Sequence, residues 1–574
     1  MLLLHLLFFF STDLDWINAY EVGDCGIRHK SSITDVGSSE YNGFPWHAAL
    51  YRMDNSSKYE YICGASIIDT HLILTNAHCV FDEELQDLDN RKMVIAIGKT
   101  NSSWEHRSLH EQRFEVTRKE LVPTYRGMLG RLQDDIALLR LNETIKFSNI
   151  VMPVCIDWEG LYEPFDGEVG TLAGWSLDEK GVLSEELNIY QIQQLNYSDC
   201  FKNAKKGFAS YLTSDKYCGI NKDNNPPRQG STGGGLVFSK AQGVKGARCF
   251  IKGLLSGRVE DRENNYNYII TNISDHVPWL KSILDPTMSE TNVSKESAGH
   301  NGIKPYEIED CSRVPSKDNE FPWHVALYKT ANSSKYEYIC GGSIINTNVV
   351  LTAAHCVFDE GLGDVDSTRM VIVVGKKNSS WEHRDVQEQR FEVISKILRP
   401  TYRGTTTRYQ DDIALLVLND TITFSTTAMP VCIDWEGFYE PNDGEVGTII
   451  GWGINEKGVL RDELKISKMQ KHNLRECRNN VTKSYGSYLT SDKFCAVNET
   501  SNTVELGYAG GGLVFSRDLE KGARHFLKGI VSGRERGNDI VLFTNITNHI
   551  PWLKRTVITI ITENSDKKNY KNHS

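Results

Sequence analysis

The chain repeats itself. The segment NSSKYEYICGASIIDTHLILTNAHCVFDE at 55–83 returns as NSSKYEYICGGSIINTNVVLTAAHCVFDE at 332–360, and MPVCIDWEGLYEP at 152–164 returns as MPVCIDWEGFYEP at 429–441. Cys63, Cys79, Cys155, Cys200 and Cys218 each reappear 277 residues later, as Cys340, Cys356, Cys432, Cys477 and Cys495. A period this long is a duplicated domain rather than a solenoid of short units. The fixed offset leaves almost no net insertion between those points. At 574 residues the chain is also too long for one ordinary hydrophobic core. We read copy one as 25–284 and copy two as 311–558. A polar linker at 285–310, with Pro and Gly and no apolar periodicity, joins them, and a polar tail occupies 559–574.

Each copy reads mainly as β. Short apolar runs such as ASIIDTHLILT, KMVIAIG and DDIALLRL are separated by Gly, Asn and Asp turns. Helical patterning is expected only at the copy ends, in SDHVPWLKSIL and TNHIPWLKRTVITII. Many short strands with few helices predict antiparallel barrels or sandwiches.

The first residues, MLLLHLLFFF, form an apolar run too short to span a bilayer, which needs about 20 residues. It fits the apolar region of a secretory signal peptide over 1–19, although no Lys or Arg precedes it. Thirteen N-x-S/T sequons and a repeated pattern among thirteen cysteines agree with export, glycosylation and a disulfide framework. A net charge of −11 argues against nucleic acid or an anionic membrane as partner, since both need clustered positive charge. No membrane anchor, metal site or cofactor is expected: there is no H-E-x-x-H, no C-x-x-C pair and no P-loop.

Three constellations carry chemistry. LTNAHCV holds His78 and LTAAHCV holds His355; QDDIALLRL holds Asp135 and QDDIALLVL holds Asp412. RQGSTGGGLVF at 228–238 and ELGYAGGGLVF at 505–515 follow in chain order. Alone, a His beside a Cys is usually just packed, and an Asp before a strand is usually a turn. Together, with FPWHAALY, FPWHVALY, GWSL, GWGI and the terminal PWL, they make each copy resemble a chymotrypsin-like serine protease domain. The resemblance implies an all-β fold of two six-stranded antiparallel barrels per copy, with a C-terminal helix and the active site between the barrels. It also implies that His78 and Asp135, and His355 and Asp412, are base and orienting carboxylate.

The nucleophile of that family is the Ser of Gly-Asp-Ser-Gly-Gly-Pro. Here the two copies read Gly230-Ser231-Thr232-Gly233-Gly234-Gly235 and Gly507-Tyr508-Ala509-Gly510-Gly511-Gly512. Ala509 has no hydroxyl, so copy two cannot form an acyl-enzyme there. Thr232 keeps an oxygen, but its extra methyl restricts the side-chain torsion in a tight turn. The family is activated when a new α-amino group pairs with the Asp before the nucleophile, and that Asp is replaced by Ser231 and Tyr508. Copy one carries ITDV from Ile33 in place of the Ile-Val-Gly-Gly motif; copy two offers only Arg313–Val314. The oxyanion-hole N–H groups, at Gly230 in copy one and Gly507 in copy two, are therefore not expected to be aimed at an oxyanion.

By the same resemblance the specificity pocket is altered. Its base is Pro226 and Thr503, and Arg258 and Arg534 stand where the substrate-pairing strand has Gly. The implied disulfides are Cys63–Cys79, Cys200–Cys218 and Cys25–Cys155, then Cys340–Cys356, Cys477–Cys495 and Cys311–Cys432. Cys249 is left over, either buried and free or paired between chains.

These features predict a secreted serine protease homologue without effective peptidase activity. Its expected work is to bind an extracellular protein such as a protease, zymogen or inhibitor, as a cofactor, decoy or regulator of proteolytic cascades. A weak serine-type endopeptidase using Thr232 is the alternative, and a structural extracellular glycoprotein is the third reading.

Overall fold

The computed structural model describes residues 25–27, 43–284, 311–312 and 321–571, apart from short internal stretches such as 201–210, 222–226, 228–229, 242–246, 261–265, 454–458 and 500–506. The signal segment, the linker, Ile33, Arg313, Pro226 and Thr503 lie outside the described residues.

Four closed six-stranded barrels account for most of the chain, two in each copy. In the first barrel of domain 1 the order is His47–Met53, Tyr59–Ile67, Leu72–Thr75, Ala137–Leu141, Gln112–Leu121 and Met93–Ile97, antiparallel throughout. The second is built from Val169–Gly174, Asn188–Leu195, Lys216–Asn221, Tyr266–Asn272, Ala247–Glu260 and Gly235–Ala241. Domain 2 repeats both barrels with the same connectivity.

Every residue of Leu72–Thr75 and of Met93–Ile97 is buried, so these strands lack the alternation of a half-exposed sheet. One face fills the barrel, with Ile73, Ile95 and Leu139. The other face of Leu72–Thr75 meets the second barrel: Trp46, Leu74 and Leu138 pack against Val237, Ile251 and Leu254. The helix Val277–Leu284 sends Val277 and Leu280 into that same seam, which is why an apolar stripe at the end of each copy is needed to close the domain.

All six implied disulfides are present: Cys25–Cys155, Cys63–Cys79, Cys200–Cys218, Cys311–Cys432, Cys340–Cys356 and Cys477–Cys495. Cys249 forms no disulfide among the described residues and is buried in the inter-barrel seam. Two expectations need correction. Helices also occur inside domain 2, at Leu474–Asn480 and Lys483–Gly486, the latter capped by Thr482, whose hydroxyl accepts from the Tyr485 N–H. At one or two turns each, they are too short to show apolar periodicity. The segment 559–574 is not a tail for most of its length: the last helix runs Ile550–Lys571, and Thr559 and Thr562 bond back to the carbonyls of Arg555 and Ile558. Among the described residues no helix is long and apolar enough to cross a membrane.

Candidate active site

Strand register brings His78 and Asp135 together. Leu72–Thr75 pairs with Ala137–Leu141, and the last pair is Thr75 opposite Ala137. The chain therefore leaves one strand toward His78 where it enters the other from Asp135. His78 sits in a 3₁₀ turn, Ala77–Cys79, pinned by the Cys63–Cys79 bridge. Thr232 comes from the other barrel, just ahead of Gly235–Ala241, and the Gly64 N–H donates to its carbonyl at 2.8 Å. In domain 2 the Gly341 N–H donates to the Ala509 carbonyl at the same distance, so Thr232 and Ala509 hold equivalent places.

The His–Asp pair is formed in both domains. His78 Nδ1 lies 2.9 Å from Asp135 Oδ2, and the His78 backbone N–H donates to Oδ1 at 2.9 Å. His355 Nδ1 lies 2.8 Å from Asp412 Oδ2, with its N–H 2.8 Å from Oδ1. Burial pushes each Asp carboxyl up, but the facing imidazole and Lys216 or Lys493 reverse this and hold it below the usual range. Burial lowers each His, and the Asp charge outweighs it, so both imidazoles are held above their ordinary value.

The hydroxyl of Thr232 does not engage this pair. Its Oγ1 contacts Cys63 Sγ at 3.7 Å and makes no hydrogen bond to His78 among the described residues. Ala509 is half-buried against the domain 2 core. The glycines around these positions are required. Gly230 and Gly507 adopt φ of +105° and +106°, and a Cβ on Gly233 would lie 2.3 Å from the Gly64 carbonyl oxygen.

Neutral contacts hold the loop where the resemblance places an ion pair. Ser231 is buried, and its Oγ meets Ser176 Oγ at 2.7 Å, which meets the Tyr190 hydroxyl at 2.5 Å. Tyr61 donates to the Gly230 carbonyl at 2.9 Å. In domain 2, Tyr508 is itself a core residue and Tyr338 donates to the Gly507 carbonyl at 3.2 Å. The backbone N–H groups of Gly230, Thr232, Gly507 and Ala509 donate to no protein acceptor among the described residues. Arg258 is exposed and Arg534 half-buried.

Three features are not evident in the motifs. Asn76 bridges three pieces of the domain 1 site: it donates to the Asp135 carbonyl at 2.6 Å and to Ser256 Oγ at 3.2 Å, and accepts from the Gly233 N–H at 2.8 Å. Ala353 stands in its place in domain 2, a difference visible in LTNAHCV against LTAAHCV. Ser256 turns to Thr271 Oγ1 at 2.6 Å, whereas Ser532 donates to Asp412 Oδ2 at 2.6 Å. Behind each Asp lies a buried charged cluster, Asp134, Asp215, Lys216 and His276 in domain 1 and Asp411, Asp492, Lys493 and His549 in domain 2. Its carboxylates already face cations, and the Cys beside His78 and His355 are oxidised, so neither group offers a vacant ligand set.

A family model described as Trypsin matches residues 33–280 and again 311–553. The chain is 31% identical over 242 residues to the Modular serine protease of Drosophila melanogaster, covering 39% of this chain and 36% of that one. It is 29% identical over 258 residues to the CLIP domain-containing serine protease B9 of Anopheles gambiae (42% and 61%), and 27% identical over 248 residues to Phenoloxidase-activating factor 3 of Holotrichia diomphalia (42% and 69%). The match thus spans little more than a third of the first of these relatives and three fifths of the second.

Proposed function

The chain belongs to the trypsin family, once in each half, and from that premise we propose that it is a secreted homologue that acts by binding an extracellular protein rather than by cleaving peptides. One observation carries this reading: in neither domain does the nucleophile position set a hydroxyl against the His of the pair. Domain 2 has Ala509, and domain 1 has Thr232 with its oxygen turned to the Cys63 sulfur. Loss of the nucleophile leaves only the weak residual catalysis of binding and oxyanion donors. Six disulfides, the apolar start and the sequons support export. The partner class is a protease, zymogen or inhibitor, and the role that of cofactor, decoy or regulator. Of the thirteen sequons, Asn142, Asn419 and Asn480 are exposed and suited to glycosylation, whereas Asn498 is buried.

A second reading has its own observation. The His78–Asp135 pair is intact and the N–H groups of Gly230 and Thr232 are open, which is what a slow Thr232-dependent endopeptidase needs. A fluorophosphonate probe separates the two, with the labelled peptide identified by mass spectrometry. The binding reading expects no label beside an active protease control. Label on Thr232 that is abolished by His78→Ala makes domain 1 a peptidase.

A further inference from the structure

The contacts between the domains come in exchanged pairs. Gln410 Nε2 donates to Ser214 Oγ at 2.7 Å, and Gln133 donates to Ser491 Oγ; 410 and 491 are 133 and 214 displaced by 277. Lys281 reaches Glu436 at 2.8 Å, and Lys554 reaches Glu159 at 3.2 Å. A Cβ on Gly160 would lie 3.1 Å from Pro551, and one on Gly437 3.2 Å from Pro278. Such reciprocity is the mark of a two-fold interface, here closed within one chain.

The interface grips the turns that deliver the two Asp residues. Gln133 lies among Arg131, Leu132 and Asp134, with φ of +58°, +56° and +58°, and Gln410 among Arg408, Tyr409 and Asp411, with +57°, +56° and +57°. Non-glycine residues persist in this region only where surroundings hold them. In domain 1 the Asp134 N–H donates to Asp215 Oδ2 at 3.0 Å, and Ser214, next in chain to Asp215, is what domain 2 holds. Gln410 takes its hydroxyl, and Arg399 takes its carbonyl at 3.3 Å while reaching Asp275 at 3.4 Å. Arg399 is buried, and Val122 occupies its place in domain 1, so the grip of domain 2 on domain 1 is the firmer one.

We propose that domain 2 is the positioning partner of the His78–Asp135 pair: through Ser491, Gln410 and Arg399 it holds the strained turn that presents Asp135. The inference stands whether or not Thr232 is a nucleophile, and it gives domain 2 a role that needs no hydroxyl at 509.

The test uses the full chain with Arg399→Val, the residue domain 1 carries, and separately Ser491→Ala. Amide hydrogen exchange is followed in domain 1 over 126–141, with 93–97 as the control strand, and the His78 imidazole is titrated by NMR. The groups facing His78 are Asp135, Lys216 and Glu83. We expect exchange over 126–141 to quicken about tenfold or more while 93–97 is unmoved, and the His78 midpoint to fall toward the ordinary value. Unchanged protection overturns the proposal. So does faster exchange with His78 titrating as in the unaltered chain, because the turn then positions nothing. Should Arg399→Val not fold, Ser491→Ala, which deletes one hydroxyl, carries the test.

Discussion

In domain 2 the carboxylate of Asp412 accepts three hydrogen bonds, from the N–H of His355, from its ring and from Ser532. In domain 1 the Asp135 carboxylate accepts from His78 alone among the described residues, because Asn76 and Thr271 hold Ser256 elsewhere. The domain with no nucleophile thus has the more completely bonded His–Asp pair. Retention of that pair is therefore no evidence of catalysis. A carboxylate that is 0% exposed is costly to leave uncompensated, so the imidazole facing it is kept by folding as strongly as by chemistry.

The comparison is broken most directly by supplying the missing oxygen. Ala509→Ser places a hydroxyl beside the better-bonded pair and two open N–H groups. We expect fluorophosphonate labelling at position 509 where the unaltered chain shows none, with oxygen displacing fluoride from phosphorus and His355 taking the proton. No labelling would place the defect in the loop that Tyr508 holds rather than in the missing atom.

The matching change in domain 1, Thr232→Ser, removes the γ-methyl and frees the torsion. The expected gain in labelling at 232 is about 100-fold, the usual cost of a misplaced nucleophile. A gain at 232 exceeding that at 509 would mean that the third donor on Asp412 is immaterial.

A smaller effect tests Asn76. Asn76→Ala removes one of two partners from the Gly233 N–H, which keeps the Leu255 carbonyl, and from the Asp135 carbonyl, which keeps Thr271, and should destabilise domain 1 by about 1 kcal/mol, read from its denaturant midpoint. It also releases Ser256 to turn to Asp135 as Ser532 does to Asp412. Ala353→Asn in domain 2 should do the reverse, drawing Ser532 off Asp412.

Asn76 also marks where sequence stops being legible. The all-β character followed from short apolar runs and turns, which are local pattern, whereas the choice of barrels over sandwiches and the roles of His78, Asp135 and Thr232 came from the family resemblance that the motifs carry. The direction of the Thr232 hydroxyl, the swing of Ser256 and the hydroxyl chain from Ser231 to Tyr190 depend on residues 14 to 180 positions apart. The interdomain pairs were hidden for a further reason: Gln133 and Ser214 are ordinary polar residues whose meaning lies only in the copy they face.

The smallest predicted effect is pH dependence, and it joins the two domains rather than separating them. His276 is buried and His78 and His355 are half-buried, which lowers their affinity for protons, but facing carboxylates raise them overall above the ordinary 6.5. They bind protons more tightly folded than unfolded, so their contribution is complete below pH 6.5 and is lost as pH rises through the raised values. His47 and His324 go the other way. Burial, with no protein partner at Nε2 among the described residues, lowers each to about 4. Their contribution is present above 6.5 and is lost as pH falls toward about 4. Among the imidazoles, stability should therefore peak near pH 6.5. Each tenfold difference in proton affinity between the folded and unfolded chain is worth about 1.4 kcal/mol. Urea midpoints between about pH 4.5 and 9 read both limbs. Asp135→Asn should flatten the alkaline limb for domain 1 and leave the acid limb in place; loss of the acid limb instead would show that His47 is not the group that sets it.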